Sequence, residues 1–433
     1  MRPNSFAKVC VALALASALT AGTAGTASAQ SSKPTIKAFL GQLFANVPTP
    51  AEEAAGLVNK VTENGQRFTT EISKLVNLGI INFPNTSSSA GFGYLVNPTT
   101  GEIVPKTESF GPLFMERALT NGKGVMNFGV SYQHSTFDHL LGQNMKTDGI
   151  FVFNNEGIWP DGFKQFLKES ALLDIKVDAM VFSYSIGVSN NVDVGFAVPV
   201  SFVEVTGGRL QSWDLTRNFA TDPATRAEFP TAVGTRQRNP GQTTLNASGI
   251  GDVAVRTKIA FGSQTSGAAA VVGELRLPTG DEEQLLGAGK AGGTLSLHAS
   301  HRAGGVNLYG TGGYRFGGLA KTFEYSGAVD TAFGPSKQVT AAVAILGTTI
   351  LDGVALSTVR TFDRVGTTGI RTTFDRNILG DATLPTLNLV PSIRVRVGHG
   401  FLFSGALAIP LTDKAISGGI SPVVGFDYTF SKQ

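Results

Sequence analysis

The chain has 433 residues, 35 basic and 32 acidic side chains, 53 glycines, 29 phenylalanines and a single cysteine. Near-balanced charge without a basic tract argues against a nucleic-acid partner, and one cysteine excludes an internal disulfide framework. Past the N-terminus no stretch approaches the ~18 uninterrupted apolar residues of a transmembrane helix.

At the N-terminus, Arg2 and Lys8 precede the apolar run VCVALALASALT, and Ala27-Ser28-Ala29 is a small-residue cleavage site. This is the pattern of a secretory signal peptide over residues 1–29, with Gln30 as the expected mature terminus. Cys10 lies inside it, so the exported chain is expected to have no cysteine. Without Arg2 and Lys8 the basic residues number 33 against 32 acidic, a net charge of +1.

Residues 30–123 read as a helical and irregular preface. Ile36–Val47 is one candidate helix. Thr49 as N-cap, Pro50 at the first helical position and Glu52 closing a capping box announce a second. Leu57, Val61, Phe68, Ile72, Leu75 and Val76 follow at helical spacing, with a break expected near Asn64-Gly65. The apolar faces of these helices need a cover, either inside a larger fold as a plug or against a periplasmic partner.

From residue 124 to 433 the period becomes two. Met126, Phe128, Val130 and Tyr132 alternate with Asn127, Gly129, Ser131 and Gln133. Met180, Phe182, Tyr184 and Ile186 alternate with Val181, Ser183, Ser185 and Gly187. Segments of this kind number twelve: 124–137, 173–188, 192–206, 249–261, 268–277, 293–302, 304–316, 337–350, 353–363, 387–398, 401–411 and 418–430. The phase is weakest in 337–350. Long and short connections alternate, the long ones including 138–172, 207–248, 278–292, 317–336 and 364–386. Short turns at one rim and long loops at the other are the signature of a transmembrane antiparallel β-barrel. The sequence therefore predicts an all-β outer-membrane barrel of about 12 strands (10–14) with an N-terminal helical segment.

The hairpin SIRVRVGHGFLFSGALAIPL (392–411) orients that sheet. Arg394 and Arg396 share one face, while Ile393, Val395, Val397, Phe401 and Phe403 occupy the other. A lipid-facing arginine at mid-bilayer costs roughly 2–4 kcal/mol, so the arginines belong in a polar lumen. The same parity places Asp252, Arg256, Lys258, Glu274, Arg276, Arg394 and Arg396 on the lumen side. Five positive and two negative charges there suit a mildly anion-attracting constriction. The plainer alternative is that Arg256 or Lys258 pairs with Glu274 across neighbouring strands and braces the wall.

Three stretches, SFGPLFMERALTNGKGVMNFGVSYQHSTFD (109–138), GIGDVAVRTKIAF (249–261) and GELRLPTGDEEQLLGAGKAG (273–292), resemble outer-membrane β-barrel transporters of the "meta-pathway of phenol degradation" type. These are distantly like long-chain fatty-acid channels. The resemblance implies an outer-membrane location and passage of small, hydrophobic or aromatic solutes, with lipid and solute as partners. The C-terminal GFDYTF (425–430) is similar to the aromatic-ended signal read by barrel-assembly machinery, although Ser431-Lys432-Gln433 follow it. Because 109–123 adjoins the first strand, Phe110, Pro112, Phe114, Glu116 and Arg117 are expected in a plug or at the periplasmic mouth.

No catalytic residue, cofactor or metal is expected. Lys290 is followed by Ala291 rather than Ser or Thr, so 280–291 is no phosphate loop. His298 and His301 would leave a strand on opposite faces, which is poor metal geometry. HSTFDH (134–139) holds Ser135, Asp138 and two histidines, the slender basis for a membrane-embedded hydrolase. A structural or surface-binding barrel that does not conduct is the stronger alternative to a channel.

Overall fold

The computed structural model describes residues 34–44, 58–81, 94–96, 103–105, 109–140, 142–216, 226, 231–261, 267–334, 336–352, 355–365, 371–381, 383–398, 400–413 and 415–431. The expected signal peptide, the expected capping box at 49–52 and His399 lie outside these residues. Among the described residues two α-helices come first, α1 (Ile36–Phe44) and α2 (Val58–Ile81). Contrary to the sequence expectation, α2 runs unbroken through Asn64-Gly65: one glycine costs only about 1 kcal/mol in a helix interior.

Sixteen strands of nine residues or more follow. They are β1 (Val125–Phe137), β2 (Ile150–Ile158), β3 (Lys164–Gly187), β4 (Val192–Asp214), β5 (Val233–Ile250), β6 (Val253–Phe261), β7 (Gly267–Leu277) and β8 (Gly292–Ala303). Then come β9 (Val306–Gly317), β10 (Lys321–Phe333), β11 (Val339–Asp352), β12 (Ala355–Val365), β13 (Arg371–Asp381), β14 (Leu384–Val397), β15 (Phe401–Pro410) and β16 (Ser421–Ser431). Twelve of them form a closed antiparallel ring in the order β1-β3-β4-β6-β7-β8-β9-β10-β11-β14-β15-β16, and β16 returns to β1 through Val423↔Gln133 to Ser431↔Val125. Closure leaves no unpaired edge for lipid to strand.

The strand count agrees with the sequence, but two memberships change. Residues 317–336 were expected to be a long connection; instead β10 is a wall strand paired with β9 and β11. Past Lys321 at its start, its odd positions from Phe323 to Phe333 carry no charge, with Phe323, Tyr325, Val329 and Phe333 facing outward, and its even positions carry Glu324 and Asp330 inward. Conversely, 353–363 was expected in the wall, but among the described residues β12 pairs only with β13, which pairs with β2. Of the 207–248 connection, residues 207–214 and 233–248 are the upper halves of β4 and β5.

A transmembrane strand needs roughly 9–11 residues, whereas β3 has 24 and β4 has 23. The excess rises beyond the membrane and pairs with β2 and β5. On β3 the outward positions change from Asp174, Lys176 and Asp178 to Met180, Phe182, Tyr184 and Ile186, which marks the outer boundary of the apolar band. At that boundary Lys176 pairs with Glu204 at 2.8 Å and Tyr132 donates to Asp178 at 2.6 Å. The opposite rim carries an aromatic girdle, with ring centroids of Phe401 and Tyr428 4.5 Å apart and those of Tyr428 and Phe430 5.5 Å apart. Between these limits the outer wall exposes Phe196, Leu297, Ile393 and Val424 among other large apolar residues. A wall apolar on its outside and charged on its inside has lipid without and a polar lumen within: the protein is an outer-membrane β-barrel.

β5 and β6 are one descending strand broken at Gly251-Asp252. Val200 faces Ile250 while Ala197 faces Ala254, so three residues oppose two in a β-bulge. The bulge turns Asp252 toward the connection between β7 and β8.

Candidate functional site

The lumen is occupied from both ends. At the short-turn rim, residues 109–122 are all buried and have no helix or strand of their own. Pro112 lacks a donor for any ladder, and Gly111 has φ +73° beneath the Arg117 side chain, where an added Cβ would lie 2.6 Å from Cδ. This inner segment has two unlike faces. Leu113, Phe114 and Met115 pack on small wall residues of β11, β14, β15 and β16, among them Ala344, Ala406 and Ala408. Glu116 meets the charged wall: Arg256 Nη1 donates to its Oε2 at 2.8 Å and Lys258 Nζ to its Oε1 at 2.9 Å.

Further polar contacts fasten the segment along its length. Arg394 donates to the Phe110 carbonyl at 2.7 Å, to Ser404 at 3.1 Å and to Asp427 at 3.1 Å. Thr340 Oγ1 accepts from the Phe110 N–H at 3.0 Å. Arg117 donates to the Ser109 carbonyl at 2.7 Å and stands 5.8 Å from the Tyr309 ring centroid. Arg396 lies 5.7 Å from the Phe110 ring and donates to the Ser336 carbonyl. Near the rim Asp193 accepts from the Asn121 N–H at 2.9 Å. Gly187 lets the chain pass, since a Cβ there would sit 1.8 Å from the Gly122 carbonyl.

Above the segment the wall carries a lattice of paired charges. Glu274 accepts from Arg256 and from Arg276 Nε at 2.7 Å, and Arg315 pairs with Glu324. Lys258 is 3.7 Å from Asp193. Four cations thus meet four carboxylates: Arg256, Lys258, Arg276 and Arg315 against Glu116, Glu274, Glu324 and Asp193. His298 shares hydrogen bonds with Ser296 and Thr311.

At the long-loop end the cover is apolar. Ile36, Phe39, Leu40, Leu43 and Phe44 of α1 are buried in one cluster with Val203 and Val205 of β4 and with Leu285 and Leu286. The last two belong to the connection 278–291, which folds inward. Asp252 holds that connection by accepting from Gly280 N–H at 3.1 Å and Ala288 N–H at 2.8 Å. Lys37 reaches Glu282 and Glu283, each at 2.8 Å, and Asn77 of α2 donates to the Gly287 carbonyl at 2.7 Å. Burial works against the Lys37 charge, but hydrogen bonds and Coulomb attraction from the two carboxylates outweigh it and raise its pKa above the ordinary lysine value.

Between the two layers lies a chamber of about 250 Å³. Phe114, Leu75, Leu78, Leu346 and Ile350 give it an apolar side; Arg256, Glu274, Arg276, Arg315 and Glu324 give it a charged one.

Of the seven charged residues singled out from the sequence, five surround this chamber and the inner segment: Arg256, Lys258, Glu274, Arg276 and Arg394. Arg396 stacks on Phe110 near the rim, and Asp252 ties down a connection rather than joining the charge lattice. Asp193, Arg315, Glu324 and Asp427 were missed. Asp193 and Asp427 sit at inward positions of predicted strands, so the same parity rule reaches them; Arg315 does too. Glu324 required recognising β10. In the HSTFDH stretch, His134 turns outward to Asp178 at 2.8 Å while Ser135 is buried on the inward face beside Gln133. Its hydroxyl and imidazole do not converge.

No family model matches the chain, and no curated protein matches it. Among solved structures it is similar to an outer-membrane channel of the COG4313 group from Pseudomonas putida F1, with 12% identity, a TM-score of 0.43, and 72% of this chain and 98% of that one covered. A Pseudomonas aeruginosa FadL homologue aligns with 10% identity and a TM-score of 0.30 over 80% and 96% of the two chains. A deletion mutant of the TodX monoaromatic hydrocarbon channel aligns with 13% identity and a TM-score of 0.30 over 81% and 99%. These likenesses are of barrel architecture only.

Proposed function

We propose that this barrel is an outer-membrane channel for small, hydrophobic or aromatic solutes, with α1 and residues 109–122 of its N-terminal segment acting as a two-layer gate inside the lumen. The chamber between the layers carries this reading: a solid structural barrel needs no cavity with one apolar and one charged side. The upper halves of β3, β4 and β5, with β2, β12 and β13, form a collar that a solute meets before α1. The rim aromatics of β16 support recognition by assembly machinery, and the wall's apolar band is its lipid contact. Dense ion pairing of the lumen favours a second reading, a structural or surface-binding barrel that does not conduct.

Two assays on the refolded full-length chain separate them. Liposome swelling with a neutral aromatic solute, benzamide, and with its carboxylate counterpart, benzoate, reads passage, and planar-bilayer conductance reads an open water path. The channel reading expects solute entry with low steady ion conductance, because the inner segment closes the rim. It also expects that removing residues 31–108 leaves ion conductance low, since 109–122 stays in place. Absence of solute entry in a heat-modifiable, folded barrel would leave the non-conducting reading.

A further inference from the structure

We propose that Arg256 and Lys258 form a carboxylate-binding site for solutes in the chamber, and that Glu116 occupies it in the closed state as a tethered stand-in. The inference rests on the channel reading and gives it a cargo chemistry. Each oxygen of the Glu116 carboxylate takes one cation, Arg256 at 2.8 Å and Lys258 at 2.9 Å. That is a two-point clasp, and both cations are largely withdrawn from solvent, with side-chain exposures of 17% and 3%.

The clasp differs from the rest of the lattice in where its anion comes from. Glu274 stands on β7, Glu324 on β10 and Asp193 on β4, all fixed in the wall. Glu116 alone rides on a segment without helix or strand. When that segment moves, only this carboxylate leaves the lattice, and its four cations face three carboxylates, one excess buried cation. Leaving a buried charge uncompensated is strongly unfavourable, so the segment stays shut unless another anion takes the place. A solute carboxylate meets that need and a neutral solute does not. The site is within reach, because Glu116 and Arg256 both border the chamber. Phe114, Leu78 and Leu346 offer the apolar surface against which a ring or short alkyl chain lies. The ligand class is therefore a small monocarboxylic acid with an apolar body, and its binding and the release of the inner segment are one exchange.

The test is calorimetric titration of the full-length, detergent-solubilised barrel with benzoate and with neutral benzamide. Glu116→Gln removes the competing charge and keeps the shape. Benzoate affinity is expected to rise roughly tenfold or more relative to benzamide, the scale of a desolvated charge contact. Adding Arg256→Gln and Lys258→Gln is expected to abolish that gain. Heat modifiability on a gel verifies that each variant is a closed barrel. Equal gains for benzoate and benzamide, or no gain in a folded Glu116→Gln barrel, overturn the proposal. Liposome swelling with benzoate and with benzamide is scored separately. Passage without a benzoate preference defeats this inference alone, and benzoate binding without passage of any solute defeats the channel reading while the site stands.

Discussion

The two layers that close the lumen are built from opposite physics. The inner segment is fixed by directional contacts: Glu116 to Arg256 and Lys258, Asn121 to Asp193, and Phe110 to Arg394 and Thr340. The outer cover is fixed by burial of Phe39, Leu40, Leu43 and Phe44, with Lys37 as an ionic tether at its edge. Apolar burial is non-directional and tolerates small displacements, so the outer layer can shift by degrees. A lattice of buried ion pairs does not: losing one partner leaves the other unpaired. Under the proposed channel reading, the inner segment is the discriminating gate and the outer cover a yielding one.

The sharpest way to break this contrast is Arg394→Ala. It strands Asp427, removes the donor to the Phe110 carbonyl and empties the space beside Ser404. Breaking a buried pair costs about 3–5 kcal/mol, here concentrated on the inner segment. Hydrogen exchange should show loss of protection across 109–122 with β14 and β15 still protected, accompanied by new ion conductance. Unchanged protection of 109–122 would mean that apolar packing of Leu113–Met115 holds the segment and that the two layers are alike after all.

Phe39→Ala makes the complementary cut. Its ring is 2% exposed and sits in the outer cluster. Truncating a buried phenylalanine costs about 3–5 kcal/mol, and the lower end is expected because α1 can settle into the gap. Faster proteolysis of the region around α1 should appear without added ion conductance, since the inner segment closes the rim by itself. A rise in conductance would show the layers to be coupled rather than separate.

Asp252→Ala tests how the outer cover is hung. Its carboxylate joins the bulge between β5 and β6 to two N–H groups of the 278–291 connection. Loss of these bonds costs about 1–3 kcal/mol. The expected outcome is increased exchange at Gly280 and Ala288, with smaller effects on α1 through Leu285 and Leu286. Exchange confined to the inner segment would contradict the assignment of this residue.

The barrel was legible because a two-solvent wall writes its parity into every strand. Arg394 against Ile393 and Phe403 fixed inside and outside from one hairpin. Where parity was applied to charge as well as to apolarity, it worked; where alternation alone was counted, β10 and β12 were exchanged. Glu324 and Asp330 made β10 look like a connection, although Phe323, Tyr325, Val329 and Phe333 define a clean lipid face. The wall half of the site was readable in the same way. What parity could not supply was Glu116 opposite Lys258, because an irregular segment has no period and its partners lie about 140 positions away. Asp252 was named among the lumen charges, but its role as an anchor for 278–291 was out of reach for a related reason: a one-residue bulge changes what a strand position faces.

The smallest expected effect belongs to Lys37→Met, and it sharpens the comparison from the outer side. Lys37 and its partners Glu282 and Glu283 are each about a third or more exposed, so solvent screening limits the tether to about 1 kcal/mol or less. The raised Lys37 pKa means that its stabilising contribution is fully present below the ordinary lysine range. It is lost only as pH rises through the higher folded-state value. Between neutral and mildly acidic pH, then, the lysine itself produces no change in cover stability, whereas salt does. At about 1 M ionic strength the screening length falls to roughly 3 Å, and wild type and Lys37→Met should lose α1 protection at the same rate; at low salt the variant should lose it slightly faster. A large gap that persists at high salt would make the outer cover an ionic latch like the inner one.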